Sequence, residues 1–289
     1  MGIIALMKKN RKATVGIIGT GWVGDSYLND FVQRGFDPIC YSLEPQYAGN
    51  KARIKECEIV FIAVPTPTTP RGFDDSILRN VIKLVGKGKT AVIKSTMLPG
   101  TTESIQRDNP NIFVLHAPEF LLEKSAHHDA AHPLRNIIGI PRNTPVFKKK
   151  AQNVLSILPK APFNIICSSV DAEFIKYARN CVGYFRILFY NLLYDLANKK
   201  GSSWHNIQKA IAADPDNGLV YTSPFHKGGR GAGGNCFIKD FAAFTNYYEK
   251  NLKDPIGLKV LRTLERKNIE LLKKTKKDLK LLKDVYGKI

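Results

Sequence analysis

The sequence lacks any long hydrophobic run. No apolar stretch approaches the roughly 20 residues that a membrane-spanning helix needs. A short apolar patch opens the chain, but lysines follow it, whereas a secretory signal carries its positive charges in front. Internal repeats and low-complexity linkers are absent as well. We therefore expect a cytoplasmic protein that does not associate with membranes.

Cysteine is scarce, and its spacing excludes two further classes of protein. The five cysteines are odd in number and show no metal-ligand spacing, which argues against a disulfide framework and against a zinc site. Cys40 and Cys167 lie in apolar, strand-like runs, and Cys181 lies in an apolar helical stretch. We expect these three thiols in the core, and we predict no metal site.

Acidic residues are few relative to basic ones, with 25 Asp and Glu against 44 Lys and Arg, so the net charge is +19. The tail over 247–289 holds 13 basic and 6 acidic residues. Its apolar residues recur at helical spacing, which predicts a lysine-rich helix packed on its own fold or on a second subunit. The residues of this stripe are Ile256, Val260, Leu264, Ile269, Leu272, Leu279 and Leu282. Without interleaved aromatics or a known motif, the charge does not favour nucleic-acid binding.

Strand and helix patterns alternate in the first half of the chain. The patterns predict strands over 14–19, 38–42, 58–64, 90–94, 112–115, 136–140 and 163–167, and helices over 22–34, 77–85 and 145–158. Such alternation is typical of a Rossmann-like, doubly wound, mostly parallel sheet. We therefore predict a nucleotide-binding domain over residues 1–168.

Helical patterns dominate the rest of the chain. A weak capping box at 168–171 opens a long helix that extends to about residue 200, and a shorter helix covers 203–212. A glycine-rich loop comes next, and two helices complete the chain, the first over 237–249. Residues 169–289 are thus predicted to form an all-helical domain for substrate binding and dimerisation.

A glycine fingerprint follows the first predicted strand. Gly19, Gly21 and Gly24 stand at the spacing of a dinucleotide-binding turn that opens a helix. Glycine permits the tight turn and the approach of a pyrophosphate, and the helix N-terminus attracts the phosphates. At the end of the second strand Ser42 stands where an acidic residue is expected, and Glu44 follows two residues later. The choice between NAD and NADP therefore stays open at this point.

Polar residues follow three further strands of the predicted sheet. Thr66 lies in Val-Pro-Thr-Pro after the third strand, and Thr96 lies in Lys-Ser-Thr after the next. Glu119 lies in Pro-Glu-Phe-Leu beyond the strand at 112–115. Because carboxyl ends of strands form the ligand crevice of such sheets, we expect these segments to face a ligand. Turn and capping chemistry is the alternative for each threonine alone.

Lys176 and Asn180 lie four residues apart on the long apolar helix, so they share a face. A buried ammonium without a partner is costly, which predicts a protein or substrate oxygen beside Lys176. The alternative is a lysine whose ammonium extends from the helix margin into water.

The segment 228–240 places five glycines ahead of Cys236 and the pair Lys239-Asp240 behind it. Glycine lets the backbone approach a ligand and adopt positive φ. The predicted helix puts Cys236 at its first turn, where the helix dipole lowers the pKa of a thiol. This pattern predicts a cysteine nucleophile, and the alternative is a buried cysteine in a tight turn.

Together these motifs resemble the nucleotide-sugar dehydrogenase family. The resemblance rests on the glycine fingerprint, Val64-Pro-Thr-Pro67, Lys94-Ser-Thr96, Pro118-Glu-Phe-Leu121, Lys176 with Asn180, and the glycine-rich segment up to Asp240. It implies oxidation of the C6 alcohol of a nucleotide sugar to a carboxylate, with two hydrides passed to two NAD molecules. UDP-glucose is the default substrate, while UDP-N-acetylhexosamines and GDP-mannose stay open.

The resemblance also implies roles for individual residues. Cys236 would form a thiohemiacetal and then a thioester, with its oxyanion stabilised by Lys176 and Asn180. Asp240 and Thr96 would position water or relay a proton, and Glu119 would serve in acid–base work around thioester hydrolysis. The cofactor would contact Gly19, Gly21, Trp22, Val23, Gly24, Glu44, Thr66, Thr96 and Glu123. The substrate would contact Glu119, Phe120, Leu121, Lys176, Asn180 and Gly233, and we add Lys227 and Arg230 as cations for its diphosphate.

Two departures from the family's pattern stand out. Family members usually carry a third domain, and this chain stops after the helix that would lead into it. The segment over 43–57 is also short. We expect a homodimer through the helical domain. The alternatives are a two-electron enzyme of the β-hydroxyacid dehydrogenase type, which needs no cysteine nucleophile, and an inactive nucleotide-binding relic.

Overall fold

The computed structural model describes residues 12–288. The described chain divides into two compact units. The first unit contains the residues up to Thr66 together with Asp75–Glu173, and the second contains Pro67–Asp74 together with the residues from Phe174 onward. The short segment 67–74 therefore joins the helical half, a feature that the sequence patterns do not reveal.

A seven-stranded sheet forms the centre of the first unit. Its strands are β1 (Val15–Ile18), β2 (Ile39–Tyr41), β3 (Ile59–Ile62), β6 (Thr90–Ile93), β7 (Phe113–His116), β8 (Arg135–Ile140) and β9 (Phe163–Ser168). Their order across the sheet is β2-β1-β3-β6-β7-β8-β9. All neighbours pair in parallel except β7 and β8, which meet through the antiparallel pair His116 and Gly139. The predicted Rossmann-like, mostly parallel sheet is confirmed.

Six α-helices accompany this sheet in the described part of the first unit. They are α1 (Trp22–Gln33), α2 (Pro45–Ala48), α3 (Ser76–Val81), α4 (Thr101–Asp108), α5 (Ala126–Ala131) and α6 (Pro145–Ile157). The unit also contains 3-10 helices at Lys51–Glu56, Ile82–Leu84 and Glu123–Ser125. The sequence patterns did not predict α2, α4 and α5, because all three helices are short and α4 is largely polar.

The strands bury both faces, as the doubly wound fold requires. On β3, Ile59 and Phe61 pack with Tyr27 and Phe31 of α1, while Val60 and Ile62 pack on the opposite face against residues of α3 and α4. β9 is the edge strand, so Cys167 is only half-buried and its predicted place in the core is wrong. Cys40 and Cys181 are buried as predicted.

The second unit is mainly helical. Its elements are β4 (Thr68–Thr69), β5 (Gly72–Phe73), most of α7 (Ser169–Lys199), α8 (Trp204–Ala213), β10 (Phe225–His226), β11 (Gly229–Arg230), α9 (Gly234–Asn251), α10 (Pro255–Lys274) and α11 (Leu279–Tyr286). The predicted capping box of α7 is confirmed. The Asp171 N–H donates to Oγ of Ser168 at 3.0 Å, and the Ser168 N–H donates to Oδ2 of Asp171 at 3.2 Å.

Three helices, not the predicted two, follow the glycine-rich loop. The chain turns between α10 and α11, where Lys276 and Asp278 take left-handed φ values of 56° and 52°. This segment contains neither glycine nor proline, the residues that usually announce such a break. None of the helices over residues 12–288 is long and apolar enough to cross a membrane.

Candidate active site

The glycine turn between β1 and α1 is shaped by contacts that exclude side chains at two positions. Gly19 has φ +88°, and a Cβ there would overlap the carbonyl oxygen of Ala63. A Cβ at Gly24 would overlap the carbonyl oxygen of Gly19. At Gly21, which caps α1, a Cβ would meet no atom of the described chain within 4 Å.

This arrangement fits the pyrophosphate of a dinucleotide. The open face at Gly21 adjoins the first turn of α1, whose backbone N–H groups have no acceptor within the helix. Trp22 and Val23 belong to that turn, so the predicted cofactor segment is assembled in one place.

Glu44 lies against the same turn. Oγ1 of Thr20 donates to Oε1 of Glu44 at 2.6 Å, and Nε2 of Gln46 donates to Oε2 at 2.7 Å. Ser42, at the end of β2, accepts a hydrogen bond from the Glu44 N–H. The Glu44 carboxylate therefore reaches the glycine turn, although Glu44 lies two residues beyond Ser42, where an acidic residue is expected.

The threonines after β3 and β6 tie neighbouring loops together. Oγ1 of the buried Thr66 donates to the carbonyl oxygen of Thr96 at 2.8 Å. Ser95 makes a similar link, since its Oγ donates to the carbonyl oxygen of Val64 at 2.6 Å. For Thr66 this is the loop chemistry that the sequence left open as an alternative.

Glu119 is buried, and its Oε2 accepts a hydrogen bond from the Leu121 N–H at 2.8 Å. The guanidinium of Arg135 lies 4.0 Å from the ring centroid of Phe120. Glu123 is exposed and begins the 3-10 turn that leads to α5. Residues 118–123 thus place one buried carboxylate and one exposed carboxylate beyond β7.

Sequence reasoning missed a buried polar pair in the first unit. Nζ of Lys94 donates to the hydroxyl of Tyr27 at 3.0 Å and lies 4.2 Å from the centroid of the same ring. Burial, and then the charge of Glu119, raises the pKa of Tyr27, so its phenol stays protonated. The signal for Lys94 was its position at the end of a buried strand, where a lysine is unusual.

Cys236 is the third residue of α9 and is half-buried. The helix begins three residues earlier than predicted, and the predicted location of the thiol in its first turn is confirmed. A thiol at this position experiences the positive end of the helix dipole. Its lowered pKa stays a prediction.

The structure joins two of the predicted catalytic residues directly. Nδ2 of Asn180 on α7 donates to Oδ2 of Asp240 on α9 at 2.6 Å. Asp240 is 1% exposed, and its other oxygen pairs with the ammonium of Lys239. Lys176, one turn before Asn180 on α7, is buried at 4% exposure. Buried charges require polar partners, and Asp240 has them in Asn180 and Lys239.

Arg230, which the sequence analysis predicts as a cation for the diphosphate, has partners within the chain. Its Nε donates to Oδ1 of Asn191 at 2.8 Å, and its Nη1 pairs with Oδ1 of Asp195 at 2.7 Å. The guanidinium therefore fastens β11 to α7. Lys227 is exposed at the tip of the β10–β11 hairpin, with φ 49°.

The glycines ahead of Cys236 have two different physical reasons. Gly228 and Gly234 adopt φ values of 77° and 80°, which favour glycine. Gly231 combines both reasons, since its φ is 84° and a Cβ there would lie 2.9 Å from Oδ1 of Asn268. Gly229 and Gly233 face the turn after α10, where added Cβ atoms would overlap or crowd Lys277 and Asp278. Much of the glycine pattern therefore serves packing within the chain, and the close approach of a ligand is not its only explanation.

Comparison with known proteins agrees with this geometry. Residues 46–155 match the NAD-binding domain of the UDP-glucose/GDP-mannose dehydrogenase family, and residues 170–269 match its central domain. The chain belongs to this family. The predicted cofactor, NAD, is confirmed by the first match.

One similar protein is YtcA of Bacillus subtilis, provisionally named a UDP-glucose 6-dehydrogenase, with 33% identity over 78% of this chain and 61% of the relative. The chain spans only about half the length of several further relatives. A UDP-glucose dehydrogenase structure from Pyrobaculum islandicum has a TM-score of 0.76 and 24% identity, covering 91% of this chain and 69% of that one. The Mycobacterium tuberculosis 3-hydroxyisobutyrate dehydrogenase shares the fold, with a TM-score of 0.70, 16% identity, and coverage of 96% and 99%.

Proposed function

We propose that this protein oxidises the C6 hydroxyl of a nucleotide sugar, UDP-glucose by default, to the carboxylate with NAD. The balanced reaction consumes one alcohol, one water and two NAD⁺, and it releases one carboxylate, two NADH and three protons. The observation that carries the proposal is the half-buried Cys236 in the first turn of α9, followed one turn later by Asp240 in contact with Asn180.

The glycine turn of the first unit would hold the cofactor. Gly19, Gly21 and Gly24 shape the turn, and the N–H groups of Trp22 and Val23 would meet the pyrophosphate. Glu44 would accept hydrogen bonds from a ribose, and Thr66, Thr96 and Glu123 would line the cofactor side. When bound, NAD supplies the acceptor for each hydride.

Cys236 would act as both nucleophile and leaving group. Loss of the first hydride and a proton from the C6 alcohol leaves an aldehyde. The thiolate of Cys236 adds to the aldehyde carbon and gives a thiohemiacetal, and loss of the second hydride from that carbon leaves a thioester. Water then adds to the thioester carbonyl, and the carbon–sulfur bond breaks to regenerate the thiolate and release the acid. The N-terminal end of α9 favours the ionised thiol in both steps.

Lys176 and Asn180 would stabilise the oxyanion that develops on C6. Preorganised donors of this kind contribute largely to acyl-transfer rates. Asp240 fixes the Asn180 amide through the hydrogen bond described above and, with Thr96, would position the attacking water. Glu119 would exchange protons during hydrolysis. The sugar nucleotide would contact Phe120, Leu121 and Gly233, and its diphosphate would pair with Lys227.

The test is the stoichiometry of NADH on a panel of nucleotide sugars. We expect two NADH per sugar consumed and formation of the acid, with Cys236→Ser abolishing acid formation. A parent protein that yields one NADH per sugar would contradict the four-electron reaction.

A two-electron dehydrogenase of the β-hydroxyacid type is the second candidate. One observation favours it: the 3-hydroxyisobutyrate dehydrogenase named above shares the fold, and this chain covers 99% of that protein's length. Such an enzyme needs no cysteine nucleophile, so full activity of Cys236→Ala on a hydroxyacid would favour this candidate. If no sugar nucleotide or hydroxyacid is turned over and polynucleotides bind with a steep salt dependence, the chain is a binding relic.

We further propose a homodimer formed through α7. An exposed apolar stripe runs along this helix at spacings of mostly three and four residues, and it consists of Phe174, Val182, Phe185, Phe189, Leu192 and Leu196. Contiguous apolar surface of this kind marks an interface in water-soluble proteins. The sequence favoured the tail helix instead, where Ile256 and Val260 of the predicted stripe are exposed and Leu272 and Leu282 are buried. The stripe on α7 has more exposed apolar residues.

A further inference from the structure

The glycine-rich loop is hydrogen-bonded, almost residue by residue, to side chains from the C-terminal part of the chain. Four side chains, which we call the C-terminal clamp, take part: Asn268, Thr275, Lys277 and Asp278. Their partners are backbone groups only. The Arg230 N–H donates to Thr275 at 3.1 Å, and the Gly231 carbonyl accepts from Lys277 at 3.1 Å. The N–H of Ala232 donates to Asn268 at 2.7 Å, and the carbonyl of Ala232 accepts from the same side chain at 2.9 Å. The Gly234 N–H donates to Asp278 at 2.8 Å.

Asp278 occupies a conspicuous position in this set. It is the residue before α11, where an aspartate ordinarily caps its own helix. Within the described chain its side chain makes no such capping hydrogen bond, and its carboxylate caps α9 instead, through the Gly234 N–H. Asp278 also has a left-handed backbone conformation, which is energetically unfavourable for a residue other than glycine. This strained residue contacts α9, the helix that contains Cys236.

The contact is also tight. Gly233 lies against Asp278 and Lys277 so closely that a Cβ at this position would overlap the carboxylate. Similarly, a Cβ added at Gly231 would lie only 2.9 Å from Oδ1 of Asn268. The backbone leading to Cys236 is therefore held by hydrogen bonds and by packing at the same positions.

We propose that Asp278 is a positioning residue for Cys236. Its carboxylate fixes the first turn of α9 through Gly234, and its negative charge offsets part of the helix dipole that the thiol experiences. This inference rests on the proposed role of Cys236 as the nucleophile.

The test compares Asp278→Asn, which keeps an oxygen acceptor but removes the charge, with Asp278→Ala, which removes both. Asp284→Ala is the matched control, because Asp284 is an exposed aspartate on the same helix. The first readout is the rate at which iodoacetamide alkylates Cys236 as a function of pH, followed by mass spectrometry on the tryptic peptide 231–239. Burial raises the pKa of Cys40 and Cys57 to about 11, so those thiols react slowly at neutral pH.

Both Asp278 variants should shift the midpoint of the alkylation profile downward by about half a pH unit. The Asp278→Ala variant should also lose about tenfold or more in kcat with little change in KM, because a displaced nucleophile slows the chemical step. The Asp278→Asn variant should retain most of kcat. The control should match the parent in both readouts.

An alkylation midpoint in Asp278→Asn equal to that of the parent would overturn the proposal, and this comparison remains valid if Asp278→Ala fails to fold. An unchanged kcat in a folded Asp278→Ala variant would overturn it as well. If Cys236 alkylation responds as expected but no sugar nucleotide is oxidised, the positioning role stands and the proposed reaction fails.

Discussion

Glu173 shows how one buried side chain can make stability depend on pH. Its carboxylate is 0% exposed and accepts hydrogen bonds from the Gly100 N–H and from both the N–H and the hydroxyl of Thr102. These bonds cap α4 from a position distant in sequence. Desolvation outweighs them and raises the pKa of Glu173 from 4.5 to about 7.

The sign of the resulting pH dependence follows from linkage. Between pH 4.5 and 7 the folded state keeps a proton that the unfolded state has lost. The free energy of unfolding should therefore fall as pH rises through this range, by up to roughly 3 kcal/mol from this group. Urea unfolding from pH 4 to 8 measures the slope. Glu173→Gln should remove this part of the slope. Glu103→Gln, on α4 itself, should retain most of it, because the charge of Glu103 is the smallest of the contributions to the shifted pKa of Glu173.

The glycine turn gives a second prediction at the same scale. Gly21→Ala should leave the melting temperature unchanged, because the added methyl group meets no atom of the described chain. The same substitution should weaken NAD binding by about tenfold or more, because the pyrophosphate needs the space that the methyl group would fill. Gly24→Ala should instead destabilise the fold by about 1–3 kcal/mol, because its methyl group overlaps the Gly19 carbonyl. Calorimetry for both variants measures the two quantities. Equal NAD affinity in parent and Gly21→Ala would contradict the assigned site.

Contacts between helices hold the proposed catalytic residues of the second unit in place. The hydrogen bond between Asn180 and Asp240 joins α7 to α9, so Asn180→Ala removes a proposed oxyanion donor and leaves a buried carboxylate with fewer partners. We expect kcat to fall by about 10²-fold and the free energy of unfolding to fall by about 1–3 kcal/mol. Asn198→Ala, an exposed position on α7, is the control. Unchanged turnover in Asn180→Ala would remove this residue from the mechanism.

Elements with a strong periodic pattern were predictable from the sequence. All seven strands of the large sheet lie within two residues of their predicted bounds, because each is a short apolar run between turn residues. The first turn of α4 depends on Glu173, which lies more than 70 residues away, so no local pattern reveals it. The turn between α10 and α11 likewise depends on contacts with the glycine-rich loop.

The site was predictable to the extent that its residues lie in dense motifs. Cys236, Asn180 and Asp240 follow recognisable spacing, and the structure places them on the two helices that the sequence indicated. Asp278 and Tyr27 carry no such signal, because an aspartate in a polar tail and a tyrosine on an amphipathic helix are ordinary. Lys94 lies in the Lys-Ser-Thr motif, but nothing local indicates that Tyr27 is its partner. Only tertiary contact reveals what these residues do.

At the scale of the whole molecule, the stripe on α7 predicts self-association. Phe189 is 60% exposed, and Leu192 follows it on the same face. Leu192→Glu should convert a dimer into a monomer, because a carboxylate in an apolar contact is costly to desolvate. Sedimentation equilibrium measures the mass. Leu134→Glu, at an 82% exposed leucine of the first unit, should leave the mass unchanged. A monomeric parent protein would refute the dimer.

The protected phenol of Tyr27 gives the first unit a built-in optical reporter. During alkaline titration, exposed tyrosines ionise near their ordinary pKa of about 10, whereas this ring keeps its proton while the sheet stays closed around it. A late step in phenolate absorbance that disappears in Tyr27→Phe would therefore time the opening of the nucleotide-binding half without any attached dye.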